Sequence, residues 1–370
     1  MTSIRERALD VVIDRQALQH NLAVVRRLIP ANTRILAVVK ANAYGHGAVE
    51  VARTLSDADG FAVVTTAEAQ ALRDSGESRP VLVMQGPRDA EDTLCFAALD
   101  SWPAIHHPQQ ADWLAAATTL AGAGRAAPAA WLKVDTGMGR LGVMPEQVQD
   151  LLARTDVNWQ GVMSHLACAD VPGNAHTRSQ VDVFEQLVVP QGVTRSIANS
   201  AAVISGVGVQ WDWVRPGLML YGCNPLDDRP LPWGIELAPV MTVSAPLIAV
   251  KHLSAGVGIG YSQTWVTPEA MPVGYVAAGY ADGLPRVLDS SADVLVADQR
   301  CPVIGRVSMD SIAIDLRPAF KGGSGARVGV GVGDRVILWG AKQPVERLAA
   351  AAGTIAYELL TSVRGTLRYV

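Results

Sequence analysis

Short runs of apolar residues recur along the first part of the chain, and polar segments with turn residues separate them. The first run, with Leu36, Val38 and Val39, is typical of a parallel strand that is buried on both faces. The runs begin roughly 18 to 35 residues apart, which leaves room for a helix and loops after each strand. The eight predicted strands are RILAVVK from residue 34, FAVVT from 61, PVLVMQ from 80, PAIHH from 103, AAWLKVD from 129, WQGVMSHL from 159, TRSIANS from 194 and DWVRPGLMLYG from 212.

The segments between these runs have the spacing of helices. A first helix is predicted from about Asp14 to Leu28, where Pro30 stops it, and another over Ala48–Leu55. Further examples are AEAQALRDSG and RSQVDVFEQLV. Eight strand–helix units in series predict a (β/α)8 barrel of the TIM type. An open doubly wound sheet is the alternative. We favour the barrel because no GxGxxG dinucleotide motif opens a helix near the N-terminus.

The pattern changes after about Glu236, where helical spacing fades and valine-rich runs alternate with turn residues. PVMTVSAPLIAVK, VGYVAAGYADGLPR, ADVLVADQRCPVIGRVSMDSIAIDL and GDRVILWG predict a mostly antiparallel β domain, and PVERLAAAAGTIAYELLTSV predicts a helical tail. Residues 1–235 are therefore predicted to form the barrel and residues 236–370 the β domain. The glycine-rich KGGSGARVGVGVGD lacks the lysine–hydroxyl ending of a P-loop, so we interpret it as a loop between strands.

Composition narrows the class of protein. The 370 residues are 49% hydrophobic and 18% charged, as in a soluble globular protein with an ample core. A net charge of −4 argues against nucleic acid or an anionic membrane as the main partner. No apolar secretory segment opens the chain, and its longest apolar stretches, of about 14 residues, are too short to span a bilayer. Cys95, Cys168, Cys223 and Cys301 lie far apart without metal-type spacing, which favours a cytoplasmic protein with reduced thiols.

The first strand leads directly into a lysine. In LAVVKANAYGHG, residues 36–47, the apolar run ends at Lys40, and a turn with Gly45 and Gly47 follows. A lysine at the end of a strand is most often only a solvated terminus. Here the turn precedes a predicted helix, so Lys40 lies at the carboxyl end of a parallel strand. That end is where barrels and open α/β sheets carry their chemistry.

Other strands also end in polar residues. Each has a plain structural alternative, such as a satisfied core histidine for His165 or a surface ion-pair partner for Arg140. Because all strands of a barrel end at one mouth, their convergence there favours a functional site. The candidates are Lys40 and Tyr44 after the first strand, Lys133, Asp135 and Arg140 after the fifth, His165 after the sixth, Asn199 and Ser200 after the seventh, and Arg215 and Gly217 after the eighth.

This set of side chains favours one kind of chemistry. We find no convincing pair of carboxylates for acid–base work, no cluster with metal spacing and no Ser-His-Asp signature. A lysine near hydroxyls and glycine amides suits a phosphorylated aldehyde cofactor. The lysine amine would form a Schiff base with the aldehyde, while hydroxyls such as those of Tyr44 and Ser200, with backbone N–H groups, would hold the phosphate.

At these residues the chain closely resembles the bacterial alanine racemases, which are pyridoxal 5'-phosphate (PLP) enzymes, and the resemblance covers essentially its whole length. AVVKANAYGHG resembles the PLP-lysine motif of that family. A strand that ends in Lys-Ala-Asn also occurs in related barrel decarboxylases, but the motifs are specific together. Those that follow in the family's order are LKVDTGMGRLG, SHLACAD, ANSAA, VRPGLMLYG, GIGYSQTW, GYADGLPR, GRVSMD and AYELLTSV.

The resemblance implies a fold, a reaction and an assembly. The fold would be an N-terminal barrel followed by a C-terminal β domain, in a homodimer with shared active sites. The reaction would interconvert L-alanine and D-alanine, a peptidoglycan precursor. Lys40 would bind PLP and act as one acid–base group, and Tyr261 would reach the cofactor from the partner subunit and act as the other.

The further roles are also implied by the resemblance alone. Arg215 would contact the pyridine nitrogen of PLP. Arg140 would bind its phenolic oxygen and, with the backbone amide of Met309, the substrate carboxylate. Lys133 matches a lysine that is carbamylated in many family members and orients the arginine. The resemblance places Tyr44, Ser200, Gly217, Leu218 and Tyr357 around the phosphate and Asn199 and His165 near the cofactor. His165 would lie beside Arg215 and Tyr261 and tune them. Tyr280 and Asp310 would lie on the side of the site that the partner subunit supplies.

A two-group mechanism follows from the chemistry of racemisation. A proton leaves one face of Cα and another arrives at the opposite face, which two groups achieve without a swing through the substrate plane. An arginine at the pyridine nitrogen keeps its proton, because its pKa lies above about 12, and this should suppress transamination. Two other classes fit less well. Decarboxylases of basic amino acids usually carry a cysteine–glutamate–serine stretch that we do not find, and PLP carrier proteins are typically a barrel alone.

Overall fold

The eight predicted strands form a closed parallel barrel. The computed structural model describes residues 8–120, 128–226, 229–321 and 329–370. Its first two elements, strand β1 (Asp10–Ile13) and helix α1 (Arg15–Leu28), precede the barrel strands. Each barrel strand pairs in parallel with the next, and the first pairs with the last, which closes the ring. The barrel strands are β2 (Arg34–Val38), β3 (Gly60–Val63), β4 (Val81–Val83), β5 (Trp102–Ile105), β6 (Ala130–Lys133), β7 (Trp159–Met163), β8 (Thr194–Ser196) and β9 (Trp213–Val214).

Helices follow the barrel strands, as the alternating pattern predicts. The helix after β3 shows why a helix begins where it does: the Thr65 hydroxyl accepts a hydrogen bond from the Glu68 amide, and the Glu68 side chain accepts one from the Thr65 amide. The barrel rather than the open sheet is thus confirmed. These helices are α2 (Ala48–Thr54), α3 (Thr66–Asp74), α4 (Thr93–Ala98), α5 (Pro108–Leu120), α6 (Val148–Leu152), α7 (Ala175–Gln186) and α8 (Ser200–Ile204).

Tryptophan rings fill the barrel near the amino ends of its strands. The ring of Trp131 on β6 lies 6.1 Å from that of Trp102 and 6.5 Å from that of Trp213, with the second pair edge to face. The guanidinium of Arg34 lies 4.1 Å above the ring of Trp213. On β7, Gly161 lies beside Trp131, and its lack of a side chain makes room for that ring. This end of the barrel is therefore a packed floor, and polar side chains collect at the opposite end.

The strands after residue 240 form a second, mostly antiparallel sheet, which confirms the predicted fold class. Its eight strands run in the order β13-β16-β15-β14-β17-β10-β1-β18, and β11 and β12 form a separate hairpin. The elements of this part are β10 (Met241–Leu253), β11 (Gly258–Ile259), β12 (Trp265–Val266), β13 (Met271–Val276), β14 (Asp293–Val296), β15 (Gln299–Ile304), β16 (Ile312–Asp315), α9 (Arg317–Lys321), β17 (Arg335–Trp339), α10 (Val345–Ala351), α11 (Ala356–Ser362) and β18 (Thr366–Tyr369).

Two strands of this sheet go beyond the predicted set. β1 pairs antiparallel with β10 and parallel with β18, so it lies between strands from the far end of the chain. The structure accordingly divides into two compact units. One holds the described residues up to Ala17, Tyr44–His46 and Ala238–Val370, and the other holds Leu18–Ala43 and Gly47–Leu237. The predicted domain boundary after residue 235 stays a prediction.

The predicted helical tail is present as two short helices, α10 and α11, with Gly353 between them at a φ of +66°. Residues 322–328 of the glycine-rich segment lie outside the described residues, and its remainder leads into β17 through a turn between Gly331 and Asp334. In the parts of the chain that the structure describes, no helix is both long enough and apolar enough to cross a membrane.

Gly161 provides a test of the barrel floor. A Cβ atom at this position would lie 2.8 Å from the Trp131 ring and 2.9 Å from the Thr194 hydroxyl oxygen. Gly161→Ala should therefore lower the free energy of unfolding by about 1–3 kcal/mol, because a packed core resists an added methyl group. Urea unfolding followed by circular dichroism measures this. Gly329→Ala is the control, since open space surrounds Gly329. Equal stability of the two variants would contradict the account.

Candidate active site

The backbone turns left-handed directly after Lys40. Ala41, Asn42 and Ala43 have φ values of 50°, 53° and 54°, and Tyr44 follows at 51°. A left-handed conformation costs an ordinary residue about 1–2 kcal/mol, so a run of such residues persists only where its surroundings hold it. The predicted turn at Gly45 and Gly47 is present, but the left-handed run begins before the glycines.

Hydrogen bonds within the turn hold part of this conformation. The amide of Ala43 donates to the carbonyl of Val39 at 2.8 Å. Asn42 accepts two hydrogen bonds of 2.9 Å. Its backbone carbonyl accepts from the amide of Gly47, and its side-chain oxygen accepts from the amide of Ala48. The asparagine in KANAYGHG therefore bridges the turn to the start of α2, and Lys40 is fixed at a strand end rather than at a frayed terminus.

Arg215 extends from the end of β9 into a buried position, where it is 3% exposed. Its guanidinium donates to the Ser196 hydroxyl and to the Ser164 carbonyl, each at 2.5 Å, and lies 3.5 Å from Nδ1 of His165. Burial lowers the pKa of Arg215 to about 10, so it stays charged at neutral pH. Burial and then the charge of Arg215 lower the pKa of His165 to about 3. His165 is therefore a neutral acceptor beside a fixed cation.

Lys133 at the end of β6 faces other cations. Burial, followed by the charges of Arg215, Arg140 and Lys40, lowers its pKa to about 8, although Asp135 raises it. Its ammonium meets no hydrogen-bond acceptor among the described residues. Burial and then Arg140 also lower the pKa of Lys40, while Glu68 raises it. Both lysines thus carry amines that lose their protons more readily than an exposed lysine.

Asp135 does not neutralise these cations through an ion pair. One of its carboxylate oxygens accepts from the amides of Gly137, Met138 and Gly139 at 2.8–3.1 Å, and the other accepts from the amide of Arg140 at 3.1 Å. Burial raises the pKa of Asp135, but these four bonds together lower it. The aspartate therefore folds the loop that carries Arg140, whose own side chain is exposed.

The ends of β8 and β9 place a hydroxyl group in the site. Ser200 is 4% exposed, and its Oγ accepts from the amides of Gly217 at 2.8 Å and Met219 at 3.3 Å. Two accepted bonds leave its own hydrogen to donate to an anion. Asn199 caps α8, since its side-chain oxygen accepts from the amide of Ala202 at 3.0 Å. Leu218 is buried in the 3-10 turn Leu218–Tyr221.

The remaining predicted residues belong to the other compact unit. Tyr44 is buried with its ring 5.6 Å from that of Tyr357, and burial, then Tyr357, raises the pKa of Tyr44. Tyr261, Tyr280 and Met309 are 67%, 40% and 52% exposed, and Asp310 is also exposed. The amide of Tyr280 donates to the carbonyl of Ser308 at 3.1 Å, and that of Ala281 to the carbonyl of Met309 at 3.0 Å. The loops of Tyr280 and Met309 are therefore tied together.

His106 and Glu68 belong to the site but were not among the predicted residues. His106 follows β5, where Ile105 pairs with Leu132, so it lies beside Lys133 on the next strand. Burial lowers the pKa of His106, a bond to the Gln85 carbonyl raises it and Lys133 lowers it further. The strand-end rule finds His106 in PAIHH once it is applied to the fourth strand. Glu68 is visible as the fourth residue of a capping box that begins at Thr65.

The donor set fits an anionic aldehyde. Lys40, Lys133, Arg140 and Arg215 interact as one group of cations, and the two carboxylates that act on them, Asp135 and Glu68, already accept backbone hydrogen bonds. A readily deprotonated lysine suits the aldehyde, and the cations and the Ser200 hydroxyl suit a phosphate. No cluster of three metal-ligating side chains occurs among the described residues. Fold and site together define a barrel-type PLP enzyme.

Comparisons with known proteins narrow this class. Models described as "Alanine racemase, N-terminal domain" and "Alanine racemase, C-terminal domain" match residues 13–225 and 240–370. An alanine racemase of Thioalkalivibrio sulfidiphilus is 45% identical over 372 residues, which cover 98% of each chain. The biosynthetic alanine racemase of Pseudomonas aeruginosa superposes with a TM-score of 0.87 at 37% identity, over 98% of this chain and 99% of that one. The Bartonella henselae alanine racemase with covalently bound pyridoxal phosphate gives 0.86 at 29% identity, over 98% and 99%.

The chain belongs to the alanine racemase family. The resemblance seen in the sequence is therefore confirmed, and with it the class of PLP-dependent isomerase. The roles of single residues stay predictions, because family membership does not test them.

Asp135 provides a test of how the loop of Arg140 is held. Asp135→Ala removes the acceptor of four backbone amides. Amide hydrogen exchange in residues 136–141 should speed up, and stability should fall by about 1–3 kcal/mol, because four hydrogen bonds to a charged acceptor are lost. Asp156→Ala is the control, since Asp156 makes an exposed ion pair with Arg154. Unchanged exchange in the Asp135 variant would show that the loop folds without this carboxylate.

Proposed function

We propose that this chain racemises alanine with PLP held on the amine of Lys40. The observation that carries the proposal is the position of Lys40: at a strand end, in a rigid turn, among cations that suit a phosphate and a carboxylate. The alanine racemase of Bartonella henselae, which carries covalently bound pyridoxal phosphate, supports the choice of cofactor. When bound, PLP withdraws electrons from Cα of the substrate and makes its proton easier to remove.

Lys40 and Tyr261 are the proposed pair of acid–base groups, one on each face of the substrate. The lowered pKa of Lys40 supports its part, because a proton-transfer group works best when its pKa approaches the working pH. Tyr261 is the proposed contribution of the partner subunit in a homodimer. Its exposure within the chain, together with that of Tyr280 and Met309, supports a role at a surface that another subunit covers.

Arg215 is the proposed partner of the pyridine nitrogen. Its guanidinium is held by Ser196 and Ser164 and stays protonated at neutral pH, so it offers the ring a hydrogen bond without giving up a proton. Electron withdrawal by the ring is then limited, which favours return of the proton to Cα over transamination. His165, as a neutral neighbour of Arg215, would help to set the position of the guanidinium.

Arg140 is the proposed contact of the PLP phenolic oxygen and of the substrate carboxylate, the latter together with the Met309 amide. Lys133 would support Arg140 as a carbamate, because its lowered pKa makes a neutral amine available for reaction with carbon dioxide. The carbamate would also replace one of the crowded positive charges with a negative one. The proposed phosphate site consists of Tyr44, Ser200, Gly217, Leu218 and Tyr357, and Asn199, Tyr280 and Asp310 complete the proposed surroundings.

The biological setting is also a proposal. We infer a cytoplasmic homodimer that supplies D-alanine as a peptidoglycan precursor, with residues 1–235 and 236–370 as its domains. The biosynthetic alanine racemase of Pseudomonas aeruginosa supports the metabolic role. The four scattered cysteines, without a paired pattern, support the compartment.

Incubation with L-alanine in deuterated water tests the reaction. A racemase forms D-alanine and incorporates deuterium at Cα, which chiral chromatography and mass spectrometry detect. A decarboxylase would release ethylamine instead, and a carrier protein would form neither product. Lys40→Ala should lower the rate by about 10²–10⁴-fold or more, the usual contribution of a positioned acid–base group, and should abolish covalent PLP. Lys342→Ala, which alters only an exposed ion pair, is the control. Full activity of the Lys40 variant would overturn the proposal.

Mixed dimers test whether Tyr261 acts across a subunit interface. One chain carries Lys40→Ala, the other carries Tyr261→Phe, and each alone should be nearly inactive. In a mixed dimer with shared sites, one site has both native groups and the other has neither. Random re-association makes half of the dimers mixed, so roughly a quarter of wild-type activity should return. If purified mixed dimers show no recovery, Tyr261 does not act in trans.

A further inference from the structure

The carboxylate of Glu68 joins two strand ends of the barrel. One of its oxygens accepts from the amide of Ala41 at 2.7 Å, directly after Lys40. The other accepts from the amides of Val64 at 2.8 Å and Thr65 at 3.1 Å, directly after β3. A single side chain thus connects the Lys40 turn to the neighbouring strand end.

These bonds replace the end of a β ladder. The amide of Val39 still donates to the carbonyl of Ala62 at 2.9 Å. In a continuing parallel ladder, the amide of Val64 would donate to the carbonyl of Val39, and the amide of Ala41 to that of Val64. The Val39 carbonyl instead accepts from Ala43, and the Val64 carbonyl from Gln85. The amides of Ala41 and Val64 donate to Glu68 instead. The carboxylate therefore provides hydrogen-bond acceptors for the two amides that lose their ladder partners where the chain turns left-handed.

Helix capping alone does not require the bond to Ala41. In a capping box, the glutamate at the third helical position needs only the amide of the N-cap residue, here Thr65. Glu68 makes that bond and adds two others, and the one to Ala41 reaches across to a different strand. The additional contact holds the first residue of the strained run, where the peptide must turn to a φ of 50°.

We propose that Glu68 is a positioning residue for Lys40: it fixes the left-handed turn from outside and thereby sets where the lysine amine is held. The inference rests on the proposed role of Lys40 as the PLP anchor. Glu68 also lies close enough for its charge to act on the lysine, together with the opposing charge of Arg140.

Glu68→Asp tests the proposal, with Thr65→Ala as the matched control. The shorter aspartate can still cap α3 but cannot reach Ala41. Thr65→Ala removes the other half of the capping box and leaves the bond to Ala41 in place. In the full-length holoenzyme, Glu68→Asp should raise the rate of PLP release and lower kcat by about tenfold each, with a smaller change in KM, because the amine is no longer held in its productive position. Visible circular dichroism of the bound cofactor should weaken. Thr65→Ala should stay within about twofold of wild type in all of these, although its Tm falls.

Amide hydrogen exchange separates this inference from the proposed function, because it requires no activity. Exchange in residues 40–44 should speed up in Glu68→Asp and not in Thr65→Ala. Glu68→Gln, which keeps the length of the side chain but can offer only one acceptor oxygen, gives the same comparison if the aspartate variant does not fold. Wild-type exchange and cofactor binding in the Glu68 variants, or equal losses in Thr65→Ala, would overturn the proposal. Absence of PLP from wild-type Lys40 would instead overturn the proposed function.

Discussion

Four cations lie at the mouth of the barrel, and no carboxylate among the described residues forms an ion pair with any of them. Burial lowers the pKa values of Lys133, Lys40 and Arg215. The charges of Arg215, Arg140 and Lys40 lower the pKa of Lys133 further, although the side chain of Arg140 is itself exposed. Asp135 and Glu68 direct their carboxylate oxygens to backbone amides. Holding several cations close together lowers stability unless anions complete the site. The phosphate and phenolic oxygen of PLP and the carboxylate of an amino acid are groups of the required charge, so the binding of cofactor and substrate is built into the electrostatics of the fold.

The barrel brings these cations close together because its backbone, rather than their side chains, determines where the strand ends lie. Parallel strands bring their carboxyl ends to one edge, and the tryptophan rings pack the barrel on the amino side. Two carboxylates near these strand ends accept hydrogen bonds mainly from backbone amides. Asp135 folds the loop of Arg140, and Glu68 pairs amides that the Lys40 turn would leave without partners. The carboxylates of Asp135 and Glu68 thus bind backbone amides of loops, and the basic side chains remain for the site.

Much of this arrangement follows from the sequence. Each of the eight predicted runs contains a barrel strand, and most of these strands are continuous apolar runs because a parallel strand is buried on both faces. β1 and β18 were not predicted, because they pair with each other across almost the whole chain and no local pattern shows that pairing. A strand–turn–helix pattern located Lys40, but Ala41 and Ala43 are residue types that do not favour the left-handed conformation they adopt. Glu68 binds the first amide of this turn, and that contact forms only once β2 and β3 have paired.

The central claim is that Lys40, rather than its neighbour Lys133, holds PLP. Lys133 is buried and Lys40 half-buried, and both are strand-end residues with lowered pKa values, so they are true competitors. Reduction of the purified protein with borohydride fixes any PLP–lysine linkage, and peptide mapping by mass spectrometry then locates it. The account predicts the phosphopyridoxyl group on Lys40 alone. A label on Lys133, or no labelled lysine in protein that racemises alanine, would contradict it.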